Sequence, residues 1–333
     1  MGSQCTTDVL ILLERTNIAI FFKFYYIYPM DSLCGKELYR TVSDHFVQAL
    51  GAKAQKIPLS MSRRCPLTPG CIYCNNASFS PGYQLSERTD IKTQIDRGLE
   101  FFSRHESPIK LAYFQSFTPT LAPAREVIDA FEQALSHPLV SGIVVATRPD
   151  CLSDELLDYF ESRFGASAPR NHPYLLVELG VESTIDSTLE RINRGHSFAC
   201  SKKAIFELDR RGIDVGAHLI LGLPSEDEKD FLSHADALSE LPIKTLKLHQ
   251  LQVIRGTALA REWEKDPGIV KLFTASEYAR LVASFILRLR PDIALDRFVS
   301  EAPPSLLLSP RWGLKADRIR EMINAEIRLQ KIG

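Results

Sequence analysis

"IDVGAHLILGLPSEDE", residues 213–228, runs from a long apolar stretch into a polar helix start. Val215, Ala217, Leu219, Ile220 and Leu221 have the composition of a strand buried on both faces. Gly222 and Pro224 end it. Ser225 with Glu228 three residues on fits a capping box, which predicts a helix opening there. The same strand-then-helix unit recurs on both sides. "AQKIPLS" (54–60), "IKLAYFQSF" (109–117), "GIVVATRP" (142–149), "YLLVELGVES" (174–183) and "TLKLHQLQVI" (245–254) are the other strand candidates. Helices are predicted over 86–104, where Ile91, Ile95, Leu99 and Phe102 share a face, and over 122–135, where Val127, Phe131 and Leu135 do. Ser153 is the predicted N-cap of a helix over 154–164. Residues 187–211, 275–290 and 315–331 also read as largely helical, and "IALDRFV" (293–299) as a last strand.

Strands alternating with helices of this length imply parallel βαβ units. Six units between about 57 and 255 suit a barrel or an open part of one, with a doubly wound sheet as the alternative. In either arrangement chemistry belongs at the carboxyl ends of the strands. The unusual residues gather there. Three cysteines follow the first strand, Gln115 ends the second, Thr147 and Arg148 end the third, and Glu182 and Ser183 end the fourth.

Composition narrows the class. The chain has 333 residues and is 45% hydrophobic, enough for a large core. A net charge of -1 argues against non-specific electrostatic binding of nucleic acid, though not against one basic groove. The apolar stretch "VLILLERTNIAIFFKFYYIYPM" (9–30) is interrupted by "ERTN" and Lys23, unlike a spanning helix. It lacks the basic start and small-residue cleavage site of a signal peptide. It reads as an extension, with Met30 a candidate start for ordinary globular sequence. There is no phosphate-binding glycine loop and no nucleophile motif.

Three of the seven cysteines, Cys65, Cys71 and Cys74, lie on the one stretch "RRCPLTPGCIYCNNASFSPGY" (63–83). An odd total clustered on a short loop suits metal chemistry better than a disulfide framework. Structural zinc needs four protein ligands, usually as two paired clips, so zinc would require a distant fourth ligand. A four-iron cluster held by three thiolates leaves one iron open to a substrate or cofactor. Unmetallated surface thiols are the third alternative. Cys151 and Cys200 read as ordinary small apolar residues.

"GCIYC", with an aromatic residue before its last cysteine, resembles the radical S-adenosylmethionine (SAM) enzymes. "YFQSFTPTLAP" (113–123), "ATRPDCL" (146–152), "VELGVES" (177–183), "INRGHSF" (192–198), "HLILGLPSE" (218–226), "LKLHQLQVIRGT" (246–257) and "SEAPPSLLLSPRWGLK" (300–315) resemble the YhcC-like branch, kin to the Elp3 catalytic core. One departure is visible. The family pattern carries a longer insert between the first two cysteines, and "CPLTPGC" is short.

The resemblance implies an α/β fold, a partial (β/α)6 TIM-type barrel with a C-terminal α/β extension. It divides the chain into an N-terminal extension (1–35), a core barrel (36–255) and a C-terminal cap (256–333). It implies a [4Fe–4S] cluster on Cys65, Cys71 and Cys74, with SAM chelating the open iron. Reductive cleavage of SAM would then give a 5'-deoxyadenosyl radical that abstracts hydrogen from a substrate. Tyr73, Gln115, Thr147, Arg148, Glu182, Arg194 and His218 are the implied SAM contacts, and His249 a substrate-side group. An electron donor such as flavodoxin or ferredoxin, a cytoplasmic location and an RNA substrate, tRNA among them, are further expectations. The competing reading is a zinc-stabilised or degenerate barrel that binds RNA or protein without catalysis.

Overall fold

The computed structural model describes residues 38–61, 65–67, 69–78, 90–103 and 107–332. The expectations for residues 1–35 lie outside them. In order, the elements are α1 (Val42–Leu50), β1 (Ala54–Leu59), α2 (Ile91–Phe101), β2 (Ile109–Phe114), α3 (Ala124–Leu135), β3 (Val140–Thr147), α4 (Asp154–Phe164), β4 (Tyr174–Glu182), α5 (Asp186–Arg191), α6 (Phe198–Arg210), β5 (Asp214–Leu221), α7 (Glu228–Ser239), β6 (Thr245–Gln250), β7 (Val253–Ile254), α8 (Ala258–Lys265), α9 (Ala275–Arg288), β8 (Ala294–Leu295), β9 (Leu307–Ser309) and α10 (Ala316–Ile332).

Seven strands form one parallel sheet in the order β1-β2-β3-β4-β5-β6-β8. A doubly wound sheet reverses its strand order at a switch point, and this one does not. The sheet is therefore the partial barrel of the first alternative, with β8 added as a short seventh strand. Its outer face packs on the helices. Ile57, Phe114, Val145, Val177 and Leu219 meet Ile95, Phe131, Phe160, Ile205 and Phe231, and all are fully buried. Each buried aliphatic or aromatic side chain of this kind contributes about 1.5–3 kcal/mol.

Several local expectations are corrected. The helix expected over 187–211 is two helices, because Asn193 (φ 54°) and Gly195 (φ 77°) turn left-handed between α5 and α6. The cap of α7 is Asp227, whose side chain accepts from the Lys229 and Asp230 amides. Ser225 instead takes a left-handed φ of 73°, which an N-cap cannot use. The expected sixth strand stops at Gln250, and β7 pairs antiparallel with β9. Helix α2, expected over 86–104, starts after the Asp90 cap. Helices α1 and α8 had no counterpart among the expected elements.

The inner face is layered. At its base Phe46 of α1 plugs the sheet against Leu111, Val144 and Leu176. Above lies a buried belt of charge. Lys56 Nζ is 2.6 Å from Glu178 Oε1 and 2.7 Å from Asp296 Oδ2. Lys247 Nζ is 2.6 Å from Glu178 Oε2. The Tyr113 hydroxyl donates to Glu178 Oε2 at 2.7 Å and accepts from Lys247 at 2.8 Å. Burial alone would raise the Glu178 carboxyl; Lys247 and Lys56 overcome it and hold it far below the carboxylate range. Asp296 is likewise raised by burial and, on balance, lowered by Lys56 and Lys247.

A depressed carboxylate stabilises the fold above its unfolded pKa, and that contribution fades as pH falls toward the folded value. Stability should therefore drop below about pH 4 as this belt protonates. Glu178→Ala strands two buried lysines and should lower unfolding free energy in urea titrations by about 3–5 kcal/mol. Glu321→Ala, in an exposed pair on α10, should change it little.

Candidate active site

The cysteine loop rests above the belt, over the carboxyl ends of the strands, and is pinned from several sides. The Ile72 amide donates to Ile192 O at 3.1 Å, and the Leu259 amide of α8 donates to Ile72 O at 2.8 Å. Asn193 Nδ2 donates to Pro69 O at 2.7 Å and to Gly70 O at 3.1 Å. Asn76 Oδ1 accepts the Phe117 amide at 3.1 Å, and Asn75 Nδ2 donates to Arg255 O at 3.2 Å. Beneath the loop Ile72 packs on Leu189, Ile192, Ile220 and Leu251, with Tyr73 against the same cluster. The shortness of "CPLTPGC" is thus matched by anchors on β2, α5, α8 and the β7–α8 turn.

The left-handed turn between α5 and α6 aims Arg194 back into the barrel mouth. Its guanidinium donates to Gly180 O at 2.6 Å, to Cys71 Sγ at 3.6 Å and to His196 Nε2 at 3.0 Å. Glu182 Oε1 lies 3.4 Å away. The β4–β5 register slips here: Gly180 faces His218 and Glu182 faces Leu219, with Glu182 at φ 67°. Glu182 Oε2 sits 2.9 Å from His218 Nδ1, and the His218 ring lies 4.6 Å from that of His249. Burial would raise the Glu182 carboxyl, but His218 and Arg194 hold it down at about 2. Burial pushes His249 well below the ordinary histidine value, with His218 and Arg297 adding to it.

Tyr73, Glu182, Arg194 and His218 are thereby brought together with Cys71. Burial, then Glu182 and Cys71, raise the Tyr73 phenol well above its usual value, so it stays a neutral donor. Gln115 stands at the end of β2, its amide 3.4 Å from Leu59 O. Arg148 follows β3 and forks onto Asp150 at 2.9 and 2.8 Å. Thr147 stands apart from this group, its hydroxyl 2.5 Å from that of Thr120. Cys151 contacts Asp150 at 3.9 Å, and burial followed by Asp150 pushes its thiol up to about 11.

Two observations test whether a cluster with a polar cosubstrate suits these residues. Cys74 reaches solvent, but its thiol is packed. That burial, then Cys71 and Cys65, push it up to about 12. A bound cationic metal would favour the thiolate form at such a site. Buried polar atoms are nearly always paired, yet Arg148 Nη1, just after β3, and His218 Nε2, within β5, are buried without a hydrogen-bond partner. Both fit a polar ligand in the mouth. Among the described residues no three His, Cys, Asp or Glu side chains converge as ligands of a single ion.

Gly180, Asn193 and His196 were not among the candidate site residues. A Cβ on Gly180 would fall 2.4 Å from Arg194 Nη2 and 2.8 Å from Glu182 Oε1. The sequence signal for this turn is the Asn-Arg-Gly run, which reads as part of a family motif and of a helix but not as a turn.

Comparison with known proteins agrees with this geometry. The profile of the Radical SAM superfamily matches residues 59–238, and that of the Radical SAM C-terminal domain matches 243–328. YtqA of Bacillus subtilis is 30% identical over 296 residues, covering 87% of this chain and 89% of that protein. YhcC of Escherichia coli is 31% identical over 269 residues, covering 79% and 83%. An N-terminally truncated Elp3 from the archaeon Methanocaldococcus infernus shares the fold with a TM-score of 0.64 at 17% identity. The alignment covers 84% of this chain and 64% of that one. By its sequence relatives and its sequentially ordered parallel half-barrel alike, the chain belongs to the radical SAM superfamily of enzymes, in the YhcC-like branch with an Elp3-like core.

Proposed function

We propose that the chain is an active radical SAM enzyme in which Cys65, Cys71 and Cys74 hold a [4Fe–4S] cluster and leave one iron to SAM. The observation that carries this is the pinned three-thiol loop whose Cys71 touches the buried Arg194 at the barrel mouth. When bound, the cluster and SAM supply one-electron cleavage of the sulfonium and hydrogen-atom abstraction from a substrate. Arg194 offers a charge-assisted donor to the SAM carboxylate, and Arg148 Nη1 a second. Glu182, ionised throughout the neutral range, accepts from ammonium or hydroxyl groups. Gln115 meets the amino group, and Tyr73 lines the adenine side. His218 faces the cofactor and His249 the substrate. Thr147, through Thr120, steadies the strand end beside Arg148.

An RNA substrate, with tRNA tried first, follows from the Elp3-like kinship. A flavodoxin- or ferredoxin-type donor would supply the electron, in a cytoplasmic setting. Among the described residues no helix is long and apolar enough to cross a membrane.

The test is anaerobic reconstitution with iron and sulfide, addition of SAM and a strong reductant, and mass spectrometry of 5'-deoxyadenosine. Wild type should form it, and Cys71→Ala should fall to background. Uptake of zinc alone would overturn the proposal and favour a binding module for RNA or protein. Gly180→Ala drives a methyl into Arg194 and Glu182. It should weaken SAM binding about tenfold, roughly 1.4 kcal/mol, in equilibrium dialysis of the reconstituted protein.

A further inference from the structure

Directly behind Glu182, on the side away from the mouth, four polar side chains close a buried circuit. The Ser183 hydroxyl donates to Glu226 Oε1 at 2.5 Å. Glu226 Oε2 lies 3.3 Å from His234 Nε2, a close approach rather than a hydrogen bond, and neither atom has a hydrogen-bond partner. His234 Nδ1 meets the Thr184 hydroxyl at 2.7 Å. Ser183 and Thr184 are consecutive, so the ring closes through the backbone. Ser183 Oγ also accepts the Ile185 amide at 3.0 Å. The Glu226 and His234 side chains are 0% exposed, which removes them from contact with any substrate.

The left-handed backbone of Glu182 is unfavourable for a residue with a Cβ and persists only where its surroundings over-determine it. Its own side-chain partners, Arg194 and His218, face the ligand. Besides the pairing with β5 and the Arg194 bond to Gly180 O, the residues that follow can restrain its backbone. Ser183 and Thr184 are those residues, and both are tied to α7 and the turn before it. The left-handed Ser225 turns Glu226 inward to make this possible.

We propose that the Ser183–Glu226–His234–Thr184 circuit latches the end of β4 and so sets the Glu182 carboxylate, making Glu226 and His234 positioning residues for the cofactor site. Ser183 is hydrogen-bonded to Glu226 and Thr184 to His234, and the His234 ring lies against the Glu226 carboxylate, so the two residues that follow Glu182 are held by one packed pair. Glu226→Gln keeps an oxygen that accepts the Ser183 hydroxyl, so the link survives. Glu226→Ala opens it. The proposal rests on the reading of Glu182 as a SAM-facing group, and the test separates the two.

Hydrogen exchange of the full-length protein by mass spectrometry needs no ligand. Amides of residues 183–185 should exchange about tenfold faster in Glu226→Ala and within about threefold of wild type in Glu226→Gln, with β2 and β3 unchanged. If Glu226→Ala does not fold, Ser183→Ala should loosen the same segment. Unaltered exchange there in the folded variant overturns the latch. On reconstituted protein, Glu226→Ala should weaken SAM binding about tenfold, but less than about twofold in a Glu182→Ala background. Equal losses in both backgrounds overturn the positioning role. Wild type that binds no SAM refutes the cofactor reading and with it that role, while exchange still decides whether the latch exists.

Discussion

A single buried guanidinium joins the cysteine loop to the sheet. Arg194 reaches Cys71 Sγ, the Gly180 carbonyl, Glu182 and His196 at once. A buried cation of this kind is tolerated only with its partners in place. Glu182, Tyr73 and Cys71 more than offset the burial that would weaken its hold on the proton. Its placement depends on the break between α5 and α6, on the absent side chain at Gly180 and on the slipped register of β4. The loop, the rim and the strand ends therefore stand or fall together.

Below the rim the barrel is built to be rigid. The floor is apolar, with Phe46 against Leu111, Val144 and Leu176. The belt of Lys56, Tyr113, Glu178, Lys247 and Asp296 above it fills the inner face without an unpaired charge. Exchanging such a belt for apolar residues could leave stability unchanged. What the charges add is a fixed arrangement directly beneath the imidazoles of His218 and His249. A site that must exclude water gains from a base that does not rearrange.

Much of this was legible in the residues. The strands expected at 109–117, 142–149, 174–183 and 213–224 are found at 109–114, 140–147, 174–182 and 214–221, the helical stripe of Val127 and Phe131 lies on α3, and Ser153 caps α4 by accepting the Leu156 amide. Strand-end logic put Gln115, Arg148, Glu182 and the cysteines on one rim. The failures were backbone events. Asn193 and Gly195 leave the helical region, Ser225 turns left-handed ahead of the true cap, and the sixth strand ends at Gln250. Side-chain periodicity does not report such turns, because it records which face a residue shows and not where the chain reverses. The circuit of Glu226 and His234 escaped for a related reason. Glu226 lies in a stretch that reads as a helix start, and the tertiary fold buries it.

The central claim is that the short, pinned loop holds a cluster with one iron open to SAM. The most direct measurement is the electron paramagnetic resonance spectrum of anaerobically reconstituted, reduced protein, recorded without and with SAM. The expected result is an iron–sulfur signal whose g values change when SAM is added. A signal indifferent to SAM, or protein that takes up zinc in place of iron and sulfide, would contradict it.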